Sequence, residues 1–169
     1  MTVLVAYATC HGSTREIARS IAATLEDSGI EVEVSSILDL EDLSEFSAFV
    51  LGSAVHNRAW LPEPLAFVRA HRQMLRTRPV WFFSVGMPAA LRGPMKRLGE
   101  IEGRQLAVVL DEFVPLAPHR LFSGRYLREH TSLGGHLLFR AIGGRYGDYR
   151  DPEAVDAYAR QISRRLVPA

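Results

Sequence analysis

Cysteine is almost missing from this 169-residue chain. Cys10 stands alone, so no internal disulfide can form and a crosslinked secreted scaffold is excluded. Lysine is as scarce, with Lys96 the only one among twenty Lys and Arg residues, a skew that carries no functional inference. An excess of one charge is also lacking. Twenty cations face 19 anions for a net charge of +1, too even for a nucleic-acid binder that relies on many phosphate contacts. No apolar run approaches the ~20 residues of a membrane span, which restricts any membrane role to peripheral contact. The opening MTVLVAYAT has no basic segment ahead of a secretory apolar stretch. With the single cysteine, that predicts a cytoplasmic location. The six histidines (His11, His56, His71, His119, His130 and His136) show neither H-x₃-H nor H-E-x-x-H spacing, so no metal site is predicted. There is no repeat, low-complexity tract or linker. At roughly 100–200 residues per domain, one domain over 1–169 is expected.

What is present is ordinary globular composition, 47% hydrophobic and 23% charged. Thr2–Ala8 is a β-branched and apolar run without polar alternation, the pattern of a buried parallel strand. Ile17, Ile21, Ala22 and Leu25 then recur at helical spacing. Ser13-Thr14-Arg15-Glu16 fits a capping box at that helix's start, and Gly29 marks its end. Further strands are predicted over Glu31–Ser35, Phe46–Gly52, Pro79–Ser84 and His119–Gly124. Helices are predicted over Pro62–Arg76, Thr131–Ile142 and Pro152–Leu166. Pro94–Val114 reads as a helix broken near Gly99–Gly103, although Leu106–Leu110 also fits a strand. Ile37–Glu45 has room for a short helical turn. Strands separated by helical stretches imply a parallel sheet covered on both faces, because parallel neighbours need long crossovers.

Chemistry concentrates after the first strand, in Thr9-Cys10-His11-Gly12-Ser13-Thr14. A helix start offers backbone N–H groups with no intrahelical partner and a positive dipole end, a natural anion site. The hydroxyls of Thr9, Ser13 and Thr14 add donors, and Gly12 permits close backbone approach or a positive φ. The loop has neither Gly-Lys-Ser/Thr nor G-x-G-x-x-G, so it suits one phosphate rather than a nucleotide tail or a pyrophosphate. Cys10 near a helix start has two readings, a reactive thiol or a plain loop residue, and a bound phosphate would oppose the thiolate. The acidic pairs Asp111-Glu112 and Asp148–Asp151 have no evident catalytic partner and read as solvated.

The segment Y-A-T-C-H-G-S-T resembles the phosphate loop of the flavodoxins, T/S-x-T-G-x-T after the first strand. Thr9, Gly12 and Thr14 fall at matching positions, whereas His11 replaces a hydroxyl residue. The resemblance implies an open five-stranded parallel sheet of order 2-1-3-4-5 with helices on both faces. It implies FMN bound non-covalently, with its phosphate on Thr9, Cys10, His11, Gly12, Ser13 and Thr14 at the sheet's switch point. By family position, the loops after the third and fourth strands clasp the flavin ring. They supply Ser53, Ala54, Val55, His56 and Asn57 on one side, and Ser84, Val85, Gly86 and Met87 on the other. Between Ser53 and Trp60 there is no glycine, and Asn57 is the residue there best suited to a left-handed backbone. Trp60 fits two roles, stacking on the ring or stapling the start of the helix at Pro62.

The tail, Gly143-Gly144, a polar loop, and then P-E-A-V-D-A-Y-A-R-Q-I from Pro152, resembles the short flavodoxin-like protoporphyrinogen dehydrogenases of the menaquinone-dependent type. Those proteins carry an arginine- and tyrosine-rich insertion after the fifth strand. Here Arg120, Arg125, Tyr126, Arg128, Arg140, Arg145 and Tyr146 occupy the matching region. The stripe Leu133, Leu137, Leu138, Phe139 and Ile142 beside His136 and Arg140 fits packing over the sheet edge, a membrane surface, or a large apolar substrate. The resemblance implies an FMN-dependent oxidoreductase acting on protoporphyrinogen with a quinone acceptor. The alternatives are a flavodoxin-type electron carrier, for which a net charge of +1 offers little acidic steering, and a module without FMN that acts by protein contacts.

Overall fold

The sheet is built from strands whose side chains are apolar on both faces, as a doubly covered parallel sheet requires. In β1 (Thr2–Ala8), Val3 and Val5 enter one core while Leu4 and Ala6 enter the other. β3 (Ala48–His56) repeats this with Val50 on the first side and Phe49 and Leu51 on the second. These elements come from a computed structural model that describes residues 1–87, 96–130, 133–141 and 144–167. Pro94 and Met95 of the predicted Pro94–Val114 helix, Thr131, Ser132 and Ile142 of the predicted Thr131–Ile142 helix, and Gly143 of the tail lie outside the described residues.

The other parallel strands are β2 (Glu31–Ser36), β5 (Val80–Gly86) and β6 (His119–Ser123). A short β4 (Ala59–Trp60) folds back antiparallel on β3. The strand order is β2-β1-β3-β5-β6; over the parallel strands alone this is the expected 2-1-3-4-5. Register aligns Ala8 with Ser53, and Ser53 with Ser84, so the carboxyl ends of the central strands lie level. One face is covered by α1 (Ser13–Asp27) and α6 (Pro152–Leu166), through Ile17, Ile21, Leu25, Val155, Tyr158 and Ile162. The other is covered by α2 (Pro62–Ala70), α3 (Arg72–Leu75) and α4 (Lys96–Asp111), through Val68, Leu75, Leu106 and Leu110.

Several boundaries depart from the sequence reading. β3 starts at Ala48 and runs four residues beyond Gly52, because Ser53 and Ala54 still pair with its parallel neighbours and Val55–His56 pair with β4. The helix predicted over Pro62–Arg76 is two, separated at His71, whose φ of −99° and ψ of 10° leave the helical region. Leu106–Leu110 is helical, and α4 continues through Gly99 and Gly103 without a break. The connection after β2 holds the predicted short turn, a 3-10 helix over Ile37–Asp39. Asp151 is the N-cap of α6, its carboxylate accepting from Ala154 N–H, and Asp148 engages Arg150, so neither is a merely solvated carboxylate.

The predicted capping box at α1 does not form. The N-cap is Gly12, at φ +89°, and no side chain caps the helix. Ser13 Oγ instead accepts the amide of Arg125 at 3.1 Å, and Glu16 faces Arg125 and Arg150. The residues read as a local cap are thus spent on a long-range contact. After β6 the chain forms a separate ribbon in which β7 (Arg125–Tyr126) pairs antiparallel with β8 (Gly147–Asp148), with α5 (Leu133–Ala141) between them. The predicted loop over 143–150 therefore contains a strand. Among the described residues no helix is long and apolar enough to cross a membrane.

Candidate functional site

A cavity of about 300 Å³ opens at the carboxyl ends of β1, β3, β5 and β6. This is where an open parallel sheet with a reversal in strand order places its ligand. From the first loop it is lined by Thr9, Cys10, His11, Ser13 and Thr14; from the end of β3 by Ala54, Val55, His56 and Asn57; from β5 by Val85, Gly86 and Met87. A larger open groove of about 630 Å³, lined in part by Trp81, Leu116 and Arg165, lies at the opposite, amino-terminal end of the strands.

The first loop is preorganised for an anion. Thr9 Oγ1 accepts the Gly12 amide at 2.9 Å, closing the loop, and Gly12 O accepts the Glu16 amide at 3.1 Å to start the helix. By helix geometry the amides of Ser13, Thr14 and Arg15 have no intrahelical acceptor. With φ at +89°, Gly12 occupies a conformation that a β-branched residue does not adopt, although a Cβ there would meet only Arg15 Nη2, at 3.9 Å. The limit at this position is backbone conformation rather than space. Cys10 is exposed.

Four predicted residues are not cavity walls. Gly12 shapes the loop from behind, while Ser53 and Ser84 are fully buried and Trp60 is 3% exposed. The structure does not bring Trp60 to the cavity. Its ring packs edge-on against Phe82 at 5.6 Å, and its Nε1–H donates to Ser84 Oγ at 2.7 Å. Ser84 Oγ also lies 2.7 Å from His119 Nε2, and Ser53 Oγ accepts the Leu61 amide at 3.2 Å. These polar groups lock the β3–β4 hairpin onto β5 and β6. Burial pushes His119 down to about 4, so its ring is neutral near neutrality.

The hairpin turn consists of Asn57 and Arg58, at φ +50° and +63°. A two-residue loop with both central residues left-handed is a type I′ turn. Asn57 tolerates this, whereas Arg58 is strained by roughly 1 kcal/mol. Burial raises the carboxyl of Glu102 on α4, and the positive charge of Arg58 opposes that rise.

Sequence reasoning missed three further walls: Gly124, Arg125 and Tyr126. The available signal was the end of the fifth parallel strand, since every carboxyl end of the sheet borders the crevice. A Cβ on Gly124 would lie 3.0 Å from Val85 Cγ1 and 3.3 Å from Ser13 Cβ, so the ribbon presses directly on the first loop. Arg125 pairs with Glu16 at 3.6 Å, and its Nε is buried without a hydrogen-bond partner. A buried donor without an acceptor beside an anion loop fits a phosphate-bearing ligand. Behind it stands an aromatic panel. Tyr126 stacks on Tyr146 at 5.5 Å and 9°, Tyr146 on His136 at 5.6 Å and 13°, and Phe139 lies 4.8 Å from Tyr126.

Residues 4–113 match the family model described as Flavodoxin domain. Over 99 residues the chain is 30% identical to the protoporphyrinogen IX dehydrogenase (quinone) of Escherichia coli strain K12, and equally to that of Escherichia coli O157:H7. The match covers 57% of this chain and 54% of those proteins, so the chain spans about half the length of the curated relatives it matches. Among solved structures, a short-chain flavodoxin associated with a bacterial microcompartment superposes with a TM-score of 0.66 at 17% identity, covering 99% of both chains. Flavodoxin 1 of Bacillus cereus superposes with a TM-score of 0.62 at 16% identity, over 99% of this chain and 100% of that one. At those identities the likeness establishes the fold.

Proposed function

The chain belongs to the flavodoxin-domain family, and from that premise we propose that it is an FMN-dependent oxidoreductase whose substrate is a protoporphyrinogen-type tetrapyrrole and whose electron acceptor is a quinone. The phosphate sits on the amides of Ser13, Thr14 and Arg15 with the hydroxyls of Thr9 and Thr14. The hairpin at His56–Asn57 and the β5 end at Val85–Met87, which line the same cavity, would hold the ring. Bound FMN supplies the redox chemistry, and this chain's residues hold it, orient it and border its substrate.

The observation that carries the reading past cofactor binding is the ribbon. Its aromatic panel adjoins the cavity through Tyr126, and the half-buried Tyr126, Tyr146 and His136 suit a border for a flat macrocycle. Arg128 and Arg145 lie on the same insertion, supplying cations for the carboxylates such a macrocycle carries. An electron carrier needs no such surface. The 30% identity to a protoporphyrinogen IX dehydrogenase over the matched segment points the same way. Leu137, 71% exposed on α5, suits contact with a lipid surface where a quinone would be met, at the cytoplasmic face.

The test is reconstitution followed by turnover. The purified chain is expected to quench FMN fluorescence on binding, and then to oxidise protoporphyrinogen anaerobically only when a quinone is added. FMN binding without such turnover would favour the carrier. No FMN binding at all would favour a module acting by protein contacts.

A further inference from the structure

Fifteen of the described residues line the candidate FMN cavity, and among them Arg125 is the only one carrying a full charge; none is a carboxylate. We propose that Arg125 is the residue that makes this site select a phosphorylated flavin over the unphosphorylated one, acting as the cation for the cofactor's phosphate; this rests on the FMN reading above. The backbone of Arg125 is pinned to the phosphate loop by its amide bond to Ser13 Oγ at 3.1 Å, and Gly124 packs against the same serine. Its side chain has only a loose counter-ion. Glu16 stands 3.6 Å from Arg125 Nη2, while Arg150 bonds both Glu16 and Asp148 and satisfies that carboxylate. Arg125 Nε is buried and has no acceptor. A buried donor beside an underused positive charge gains most from an acceptor that is itself anionic, since a charge-assisted bond is about twice as strong as a neutral one.

The neutral donors of the first loop bind phosphate through dipoles, an attraction that is weaker than that of a full charge and is itself partly screened by salt. A guanidinium adds a Coulombic component that salt screens. The location has a second consequence. Arg125 begins the ribbon that bears the aromatic panel, so the cofactor's phosphate and the surface proposed for the substrate share one anchor.

The experiment is fluorescence titration of the apo chain with FMN and with riboflavin, at low and high salt, for the wild type, Arg125→Gln, Arg125→Lys and Arg19→Gln. The wild type is expected to prefer FMN strongly and to lose part of that preference as salt rises. Arg125→Gln should weaken FMN by about 10- to 100-fold and reduce the salt dependence, with riboflavin affinity held within about twofold. That last value also reports an intact cavity, so misfolding cannot imitate the result. Arg125→Lys should recover part of the loss, and Arg19→Gln, exposed farther along α1, should change little. The proposal is overturned if Arg125→Gln keeps the wild-type ratio of FMN to riboflavin, or if Arg19→Gln lowers the preference as much as Arg125→Gln does. Failure of the wild type to bind either flavin would defeat the FMN reading itself, a separate outcome.

Discussion

Acidification is expected to destabilise this protein through His119, a residue remote from any proposed chemistry. The Trp60 indole can only donate, so Ser84 Oγ accepts from it at 2.7 Å and has its own proton left to give. That proton goes to His119 Nε2, also at 2.7 Å, which requires a neutral ring. Burial lowers the pKa of His119 from 6.5 to about 4 in the folded chain. Because the folded value is depressed, the stability it carries is whole above pH 6.5 and drains away as pH falls toward 4. Linkage puts the loss at about 2 kcal/mol near pH 5, and about 3 kcal/mol once both states are protonated. Urea unfolding followed by circular dichroism near pH 7.5 and near pH 5 measures it, with His119→Gln as reference, since glutamine keeps an acceptor for Ser84 without titrating. The wild type should lose about 2 kcal/mol more than the variant across that interval. Equal losses in the two proteins, or a histidine resonance titrating near its ordinary value, would refute the reasoning.

Four other outcomes are expected. Gly52→Ala should cost about 3 kcal/mol or prevent folding, because the new Cβ would stand 2.0 Å from Cζ of the fully buried Phe83; thermal melts of the single variant and of Gly52→Ala with Phe83→Leu should show partial recovery in the pair. Arg58→Gly should stabilise the fold by about 0.5–1 kcal/mol in urea titrations, since it relieves a left-handed arginine and creates the Asn-Gly pair favoured in type I′ turns. In FMN titrations Gly12→Val should abolish binding, its β-branched side chain being incompatible with φ +89°. Thr14→Ala should weaken binding by about 1.5–3 kcal/mol if its hydroxyl meets the phosphate.

Much of the fold was legible because it is set by local chemistry. Unbroken apolar runs at Thr2–Ala8 and around Phe49 and Phe82, short and rich in β-branched or aromatic residues, match strands covered on both faces. The 3- to 4-residue spacing in Ser13–Asp27 and Pro152–Leu166 can only be amphipathic helix. A short hydroxyl- and glycine-containing turn between the two kinds of element placed the anion loop, five of whose residues line one cavity; the seven other expected walls, Ala54–Asn57 and Val85–Met87, were placed by the resemblance to flavodoxins.

What tertiary structure alone decided were the residues whose neighbours are distant in sequence. Ser13 and Glu16 satisfy every local rule for a cap, yet they face Arg125 and Arg150, more than a hundred residues away. Trp60 had the chemistry to stack on a ring, but the register of β3 with β4 turned it inward onto Phe82 and Ser84. Arg125 and Tyr126 became cavity walls only because β6 ends beside β5, so that Gly124 meets Val85 and Ser13. Sequence periodicity reports which face of an element is apolar. Which partner that element meets, and what its polar groups then bond to, follows from sheet order and register, and these are properties of the assembled chain.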